Sequence, residues 1–197
     1  MTKISAKDIA ALRAKTDLPM MEVKKALIEA GGNEASAMDI LKKKGHKKVA
    51  KKSTRMASNG LIESYTHDGR IGVIVEVNTE TDFVAKNKQF KEFVHDLALH
   101  IAASNPKYLS KNDISKIEID KETKNYQQQA EKDGKPTKIA KKIAEGKINK
   151  YFEEVCLLNQ LFIKDDKKTI SDLLTELVAK IGENIVISRF YRIELGE

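Results

Sequence analysis

The sequence predicts an α+β fold, an antiparallel sheet with helices on one side, behind an N-terminal helical module. Three observations predict it. Apolar residues recur at helical spacing from Ser5 to Gly45. Two extended runs between Leu61 and Val77 flank the turn signal Asp68-Gly69. Far along the chain, "NIVISRFYRIEL" alternates again and supplies a third strand to close the sheet.

Each element has a local cause. Ser5 can cap a first helix, with Asp8 in its first turn and Ile9 and Leu12 as its apolar face. Pro19 disfavours a helical Leu18 and suits the first position of a second helix, which carries Met20, Val23 and Leu27 and stops at Gly31-Gly32. Asn33 caps a third, with Ala37, Ile40 and Leu41 inward and Gly45 at its end. The basic stretch follows as helix or linker. In the hairpin, Ile71, Val73, Val75 and Val77 share one face of the second strand. Phe90, Phe93, Val94, Leu97 and Ile101 then form a helical stripe that Asn105-Pro106 ends.

Residues 113–132 are polar and helical in character. After the Gly134 and Pro136 turn, a helix packs through Ile139, Ile143, Ile148, Tyr151, Phe152 and Val155, weakened at Gly146. Thr169 can cap a last helix bearing Ile170, Leu173, Leu174, Leu177 and Ile181, closed by Gly182. The final strand sets Ile185, Ile187 and Ile193 against Val186 and Phe190. The expected organisation is a three-helix module at 1–45, a basic linker or helix at 46–58 and an α+β core at 59–197.

Composition bounds the function. The chain has 197 residues, 41% of them apolar and 33% charged, with no tryptophan. No apolar run approaches the roughly 20 residues that span a bilayer, so the expectation is a cytoplasmic protein without a membrane partner. The single cysteine, Cys156, cannot form an intrachain disulfide and leaves no cysteine cluster for zinc. The net charge of +7 is local: Lys42 to Arg55 holds eight Lys or Arg and no acid, whereas the other 28 basic residues face 29 acids. That block can track RNA or ribosomal phosphates weakly, face an acidic protein surface, or simply be a solvated helix.

Common catalytic signatures are missing. Gly134-Lys135 is followed by Pro136 and Gly146-Lys147 by Ile148, so neither begins a phosphate-binding loop. His95 and His100 are five residues apart, about 140° around a helix, and share no metal-facing edge. Cys156 sits among Val155, Leu157 and Leu158 as a small core residue. The expectation is a binding protein, not an enzyme, with no cofactor and no metal.

The junction "NTETDFVAKN", Asn78 to Asn87, poses the sharpest question. If a helix begins at Thr81, Asp82 favours its dipole and Phe83, seven residues before Phe90, starts the apolar stripe. If the helix begins at Asn87, residues 79–86 form a turn that displays Asp82 and Phe83 outward as a probe for another protein's pocket. Periodicity leaves both open.

"MMEVKKAL", "NTETDFVAKN", "HIAASNP" and "KIGENIVISRF" occur in that order along nearly the whole chain, and the sequence resembles the elongation factor Ts family. The resemblance implies a ubiquitin-associated-like N-terminal module, a linker and a core with a three-stranded antiparallel sheet. It implies a guanine-nucleotide exchange factor that binds elongation factor Tu, both GDP-bound and nucleotide-free, without itself binding nucleotide. It selects the outward turn, carrying the exchange role to Thr81, Asp82, Phe83 and Val84. Further contacts map to Arg13, Met20 and Met21. Adjacent methionines cannot both face one helix's core, which leaves one of them as an exposed contact or a frayed end. Asp17 stands where the family usually has glycine, so the turn there is expected to differ in shape. Longer relatives carry two related halves in the core where this chain has one, and a homodimer is expected to rebuild the missing half. Tyr191 offers no thiol, so that dimer should not depend on a disulfide.

Overall fold

The computed structural model describes residues 4–16 and 18–197, and the expected turn at Asp17 lies outside them. The helices are α1 (Ala6–Thr16), α2 (Met20–Glu29), α3 (Glu34–Lys52), α4 (Asp82–Ala85), α5 (Lys88–Ser104), α6 (Lys116–Lys132), α7 (Thr137–Val155) and α8 (Ile170–Ile181). The strands are β1 (Asn59–His67), β2 (Ile71–Thr79), β3 (Leu161–Phe162), β4 (Asp165–Thr169) and β5 (Ile185–Glu194). N-terminal helices and a three-stranded antiparallel sheet in the order β1-β2-β5, packed by helices, make the expected α+β fold. The short antiparallel pair β3-β4, with Leu161 opposite Thr169 and Phe162 opposite Asp165, was not expected from the sequence. Two compact units interleave along the chain, and β1, β2 and β5 each run through both.

The first unit comprises residues 1–61, 77–92 and 172–186. In α1, Ser5 caps through a reciprocal pair: Asp8 N donates to Ser5 Oγ, while Ser5 N donates to Asp8 Oδ2. Leu12, Val23, Ala26, Leu27, Ala37 and Leu41 form a small apolar core, with Ile4, Ile9, Leu18, Ala30 and Ile40 against it. Gly31 and Gly32 end α2 with φ of 61° and 89°, a conformation that needs glycine. Gly45 does not end α3. The helix runs on to Lys52, and the glycine is buried where a Cβ would lie 3.1 Å from Thr175 Cγ2. Close approach, rather than termination, is why glycine stands there.

The second unit comprises residues 62–76, 93–171 and 187–197. Asp68 and Gly69, with φ of 49° and 65°, make the hairpin turn between β1 and β2. Helices α6 and α7 pack as an antiparallel hairpin, with Ile114, Ile148, Phe152, Val155 and Cys156 as an apolar cluster beside Tyr108, Ile119, Tyr126 and Tyr151. Ile139 is exposed rather than packed; Ala140 and Ala144 are buried instead. Small residues one turn apart carry that stretch of contact, which rotates the packed face by one position relative to the isoleucine pattern. The last strand departs too. Ile187 is buried, yet Ile193, of the same parity, is 73% exposed, and Arg192 is nearly covered and donates to the Ala102 carbonyl. Burial changes parity within β5, so strict alternation misplaces its second half.

Candidate functional site

Residues 79–90 form two short helical starts rather than one. Thr81, extended at φ −128°, caps α4, its side chain accepting from Val84 N at 3.4 Å. The turn closes with Lys86 N donating to the Asp82 carbonyl and Asn87 N to the Val84 carbonyl. Asn87 then begins α5, its side-chain oxygen accepting from Gln89 N at 2.8 Å and Phe90 N at 3.4 Å. Both sequence alternatives are therefore half right. Thr81 is a cap and Asp82 lies in its first turn, but the chain re-starts at Asn87, so Phe83 leaves the stripe that Phe90 begins.

Phe90 is fully buried, whereas Phe83 is 82% exposed. Asp82 beside it accepts from Lys86 Nζ at 2.9 Å, and this ion pair holds its carboxyl below the usual carboxylate range. Val84 is half-buried and anchors the turn. Thr81, Asp82, Phe83 and Val84 thus share one hydrogen-bonded turn, with the ring exposed. Arg13 is exposed on α1, and among the described residues it makes no hydrogen bond or ion pair. Met20 and Met21, at the start of α2, are 53% and 60% exposed, so neither serves the core.

A polar cluster behind the turn escaped the sequence reading. Glu183 accepts from Thr79 Oγ1 at 3.0 Å, Thr81 N at 3.0 Å and Thr81 Oγ1 at 2.7 Å. Glu80 returns the grip, accepting from Asn184 N at 2.6 Å and from Arg55 Nη1 at 3.4 Å; the Asn184 amide is the main reason its carboxyl titrates below the usual range. Asn59 Nδ2 donates to the Glu80 carbonyl, Asn184 Nδ2 to the Arg55 carbonyl, and Lys52 Nζ to the Gly182 carbonyl at the end of α8. The 79–81 and 183–184 partners are about a hundred residues apart in the chain. The only local signal was "GEN" after α8, which reads as a helix stop.

The basic block is partly absorbed by structure. Lys42 pairs with Asp172 at 3.0 Å and Lys44 with Glu29 at 2.5 Å, while Lys52 and Arg55 join the polar cluster. Lys43, Lys47 and Lys51 stay exposed at four-residue spacing along α3. The histidines are not brought together: His95 bonds Glu63, and His100 is buried with its Nε2 3.0 Å from Gln160 Oε1. Cys156 is buried, which pushes its thiol up. No group of three or more metal-ligating side chains occurs among the described residues, and no helix there is long and apolar enough to cross a membrane.

Comparison with known proteins places the chain. The family model described as Elongation factor TS matches residues 5–197. The chain is similar to the elongation factor Ts of Alkaliphilus oremlandii, 55% identical over 194 residues that cover 98% of this chain and 90% of that protein. The corresponding protein of Alkaliphilus metalliredigens is 54% identical over the same shares. That of Koribacter versatilis is 49% identical, over 98% of this chain and 89% of its own length.

Proposed function

Because the chain belongs to the elongation factor Ts family, we propose that it binds elongation factor Tu carrying GDP and promotes GDP release, so that GTP can reload during translation elongation. The observation that carries this reading is Phe83, a large ring left in solvent on a capped turn between Thr79, buried at the end of β2, and Phe90, buried in the first turn of α5. Exposed aromatic anchors on rigid elements are the side chains that carry binding energy at protein interfaces.

The ring acts as a wedge in the partner's packing beside its bound magnesium and phosphates. Mg²⁺ demands near-octahedral oxygen ligation, so a small displacement of one ligand weakens its hold on GDP. Asp82 bonds the displaced element, Thr81 and Val84 hold the turn's shape, and Arg13, Met20 and Met21 make a second contact with the same domain. Methionine suits an exposed contact that must adapt. No bond is broken, and this protein needs no cofactor and binds no nucleotide itself. Linkage sets the energetics: a factor that loosens GDP must bind nucleotide-free partner correspondingly tighter, and about 10⁴-fold coupling corresponds to about 5.5 kcal/mol.

The chain works in the cytoplasm as a homodimer, two copies meeting through the apolar open face of the sheet. A weak RNA or ribosome contact is a secondary reading, favoured by the exposed stripe Lys43, Lys47 and Lys51. Such a contact would weaken steeply with salt.

Stopped-flow release of a fluorescent GDP analogue from purified elongation factor Tu tests the exchange. Strong acceleration is expected, with a smaller gain where Mg²⁺ has already been chelated. Release at the spontaneous rate, from a partner shown to be active, would remove the reading.

A further inference from the structure

The geometry points to Glu183 as a positioning residue for the exchange turn, acting through Thr81 to fix the pose of Phe83. The inference deepens the exchange reading and rests on it.

The cap of α4 is a single hydroxyl with one proton. Thr81 Oγ1 lies 2.7 Å from Glu183 Oε1, an acceptor-only carboxylate, so the hydroxyl donates there and its lone pairs remain for Val84 N. The other carboxylate oxygen takes the Thr81 amide and the hydroxyl of Thr79, itself fully buried at the end of β2. Both bonds to Thr81 are charge-assisted, the stronger class. Glu183 therefore fixes the backbone and the side chain of the residue from which the Phe83 turn springs. Glu80, between the two threonines, bonds the amide of Asn184, so the 79–81 and 183–184 segments hold each other by exchanged carboxylates. Lys52 and Arg55 tie the end of α3 into the same cluster.

None of this is required to bury Phe83, which is exposed, nor to start α5, which Asn87 caps by itself. What the clamp adds is a defined direction for the ring. A wedge transmits force only if its base does not yield, and a displacement of about 1 Å at a working group costs about 10²-fold in rate.

The test compares Glu183→Ala, Thr81→Val and Thr81→Ser, with Phe83 present and in the Phe83→Ala background, in the GDP-release assay. With Phe83 present, Glu183→Ala and Thr81→Val should lower the maximal release rate by about tenfold or more, while the half-saturating concentration moves less than about threefold. Thr81→Ser, which keeps the hydroxyl, should restore the rate. In the Phe83→Ala background, Glu183→Ala should cost less than about twofold, because coupled residues are not additive. Equal costs in the two backgrounds, or a normal rate in Glu183→Ala, would overturn the proposal.

Amide hydrogen exchange supplies a readout free of the partner. Glu183→Ala should lose protection at Thr81, Val84 and Asn87 while the core of α1 to α3 keeps it; unchanged protection at Thr81 would also overturn the clamp. Thr81→Val, nearly isosteric, gives the same comparison if Glu183→Ala unfolds more widely. A wild-type protein that fails to accelerate release would overturn the exchange reading and this role with it, yet the amide result would still show whether the clamp orders the turn.

Discussion

Phe83 and His100 show opposite uses of a ring. Phe83 contributes little to folding because it is exposed, so Phe83→Ala should stay within about 0.5 kcal/mol of wild-type stability while slowing GDP release by at least about tenfold. Matched melting curves and stopped-flow traces check this; a large melting loss with an intact rate would return the ring to a structural role. His100 is buried, and its surroundings fix its proton. Gln160 Nε2 donates to the Ser104 and Glu154 carbonyls, so Gln160 Oε1 is left as an acceptor and His100 must present Nε2–H to it. Burial lowers the imidazole's proton affinity in the folded chain. The unfolded chain then takes up the proton first, below about pH 6.5, so this stabilisation is present above that pH and is lost as pH falls towards the lower folded value. Glu118, held below the usual carboxylate range by the hydroxyls of Tyr151 and Tyr108, adds a second loss at more acid pH, below about 4.3. Calorimetry should show Tm falling in two stages, with the upper one absent in His100→Gln. A flat Tm in wild type from about pH 7 to about pH 5.5 would contradict the assignment.

Two glycines inside helices separate propensity from packing at the scale of the element. At Gly146, in α7, an added Cβ would have no neighbour within 4 Å, whereas at Gly45, in α3, it would meet Thr175 Cγ2 at 3.1 Å. Gly146→Ala should stabilise by about 1 kcal/mol, or about 2–4 °C in Tm, and Gly45→Ala should gain nothing or lose stability. Equal gains would show that Thr175 yields freely. The same contrast explains what was legible in the sequence. Ser5, Asn33, Gly31-Gly32, Asp68-Gly69 and Asn87 announce themselves because caps and turns are decided within a few residues. The continuation of α3, the exposure of Ile139 and the parity change in β5 are decided by neighbours distant in sequence, so a local pattern cannot contain them. At the candidate site periodicity left the turn open and only the resemblance carried by "TDFVAKN" selected it, while nothing local signalled the carboxylate at position 183 that bonds it.

At the scale of the whole molecule, the change of parity in β5 has a consequence for assembly. It turns Tyr191 and Ile193 onto the open side of the sheet, where Ile62 and Ile74 are also exposed. Gly72 makes room for the Ile193 side chain, 3.2 Å from where a Cβ would stand. Arg189 donates to Glu76 at 2.7 Å, so this charged pair beside the apolar surface costs less to cover than either charge alone. A single exposed isoleucine needs no explanation, but an adjoining group of large apolar side chains marks an interface. Two copies meeting on this face would pack sheet against sheet about a two-fold axis, with no disulfide required. Light scattering at micromolar concentration should therefore give a dimer mass, and melting temperature should rise with concentration. Ile74→Glu and Tyr191→Glu place a carboxylate on a surface already exposed in one copy, so they should yield folded monomers whose GDP-release activity reports what dimerisation contributes. A monomer mass for the wild-type chain would overturn the dimer, leaving the exchange turn to act from a single copy.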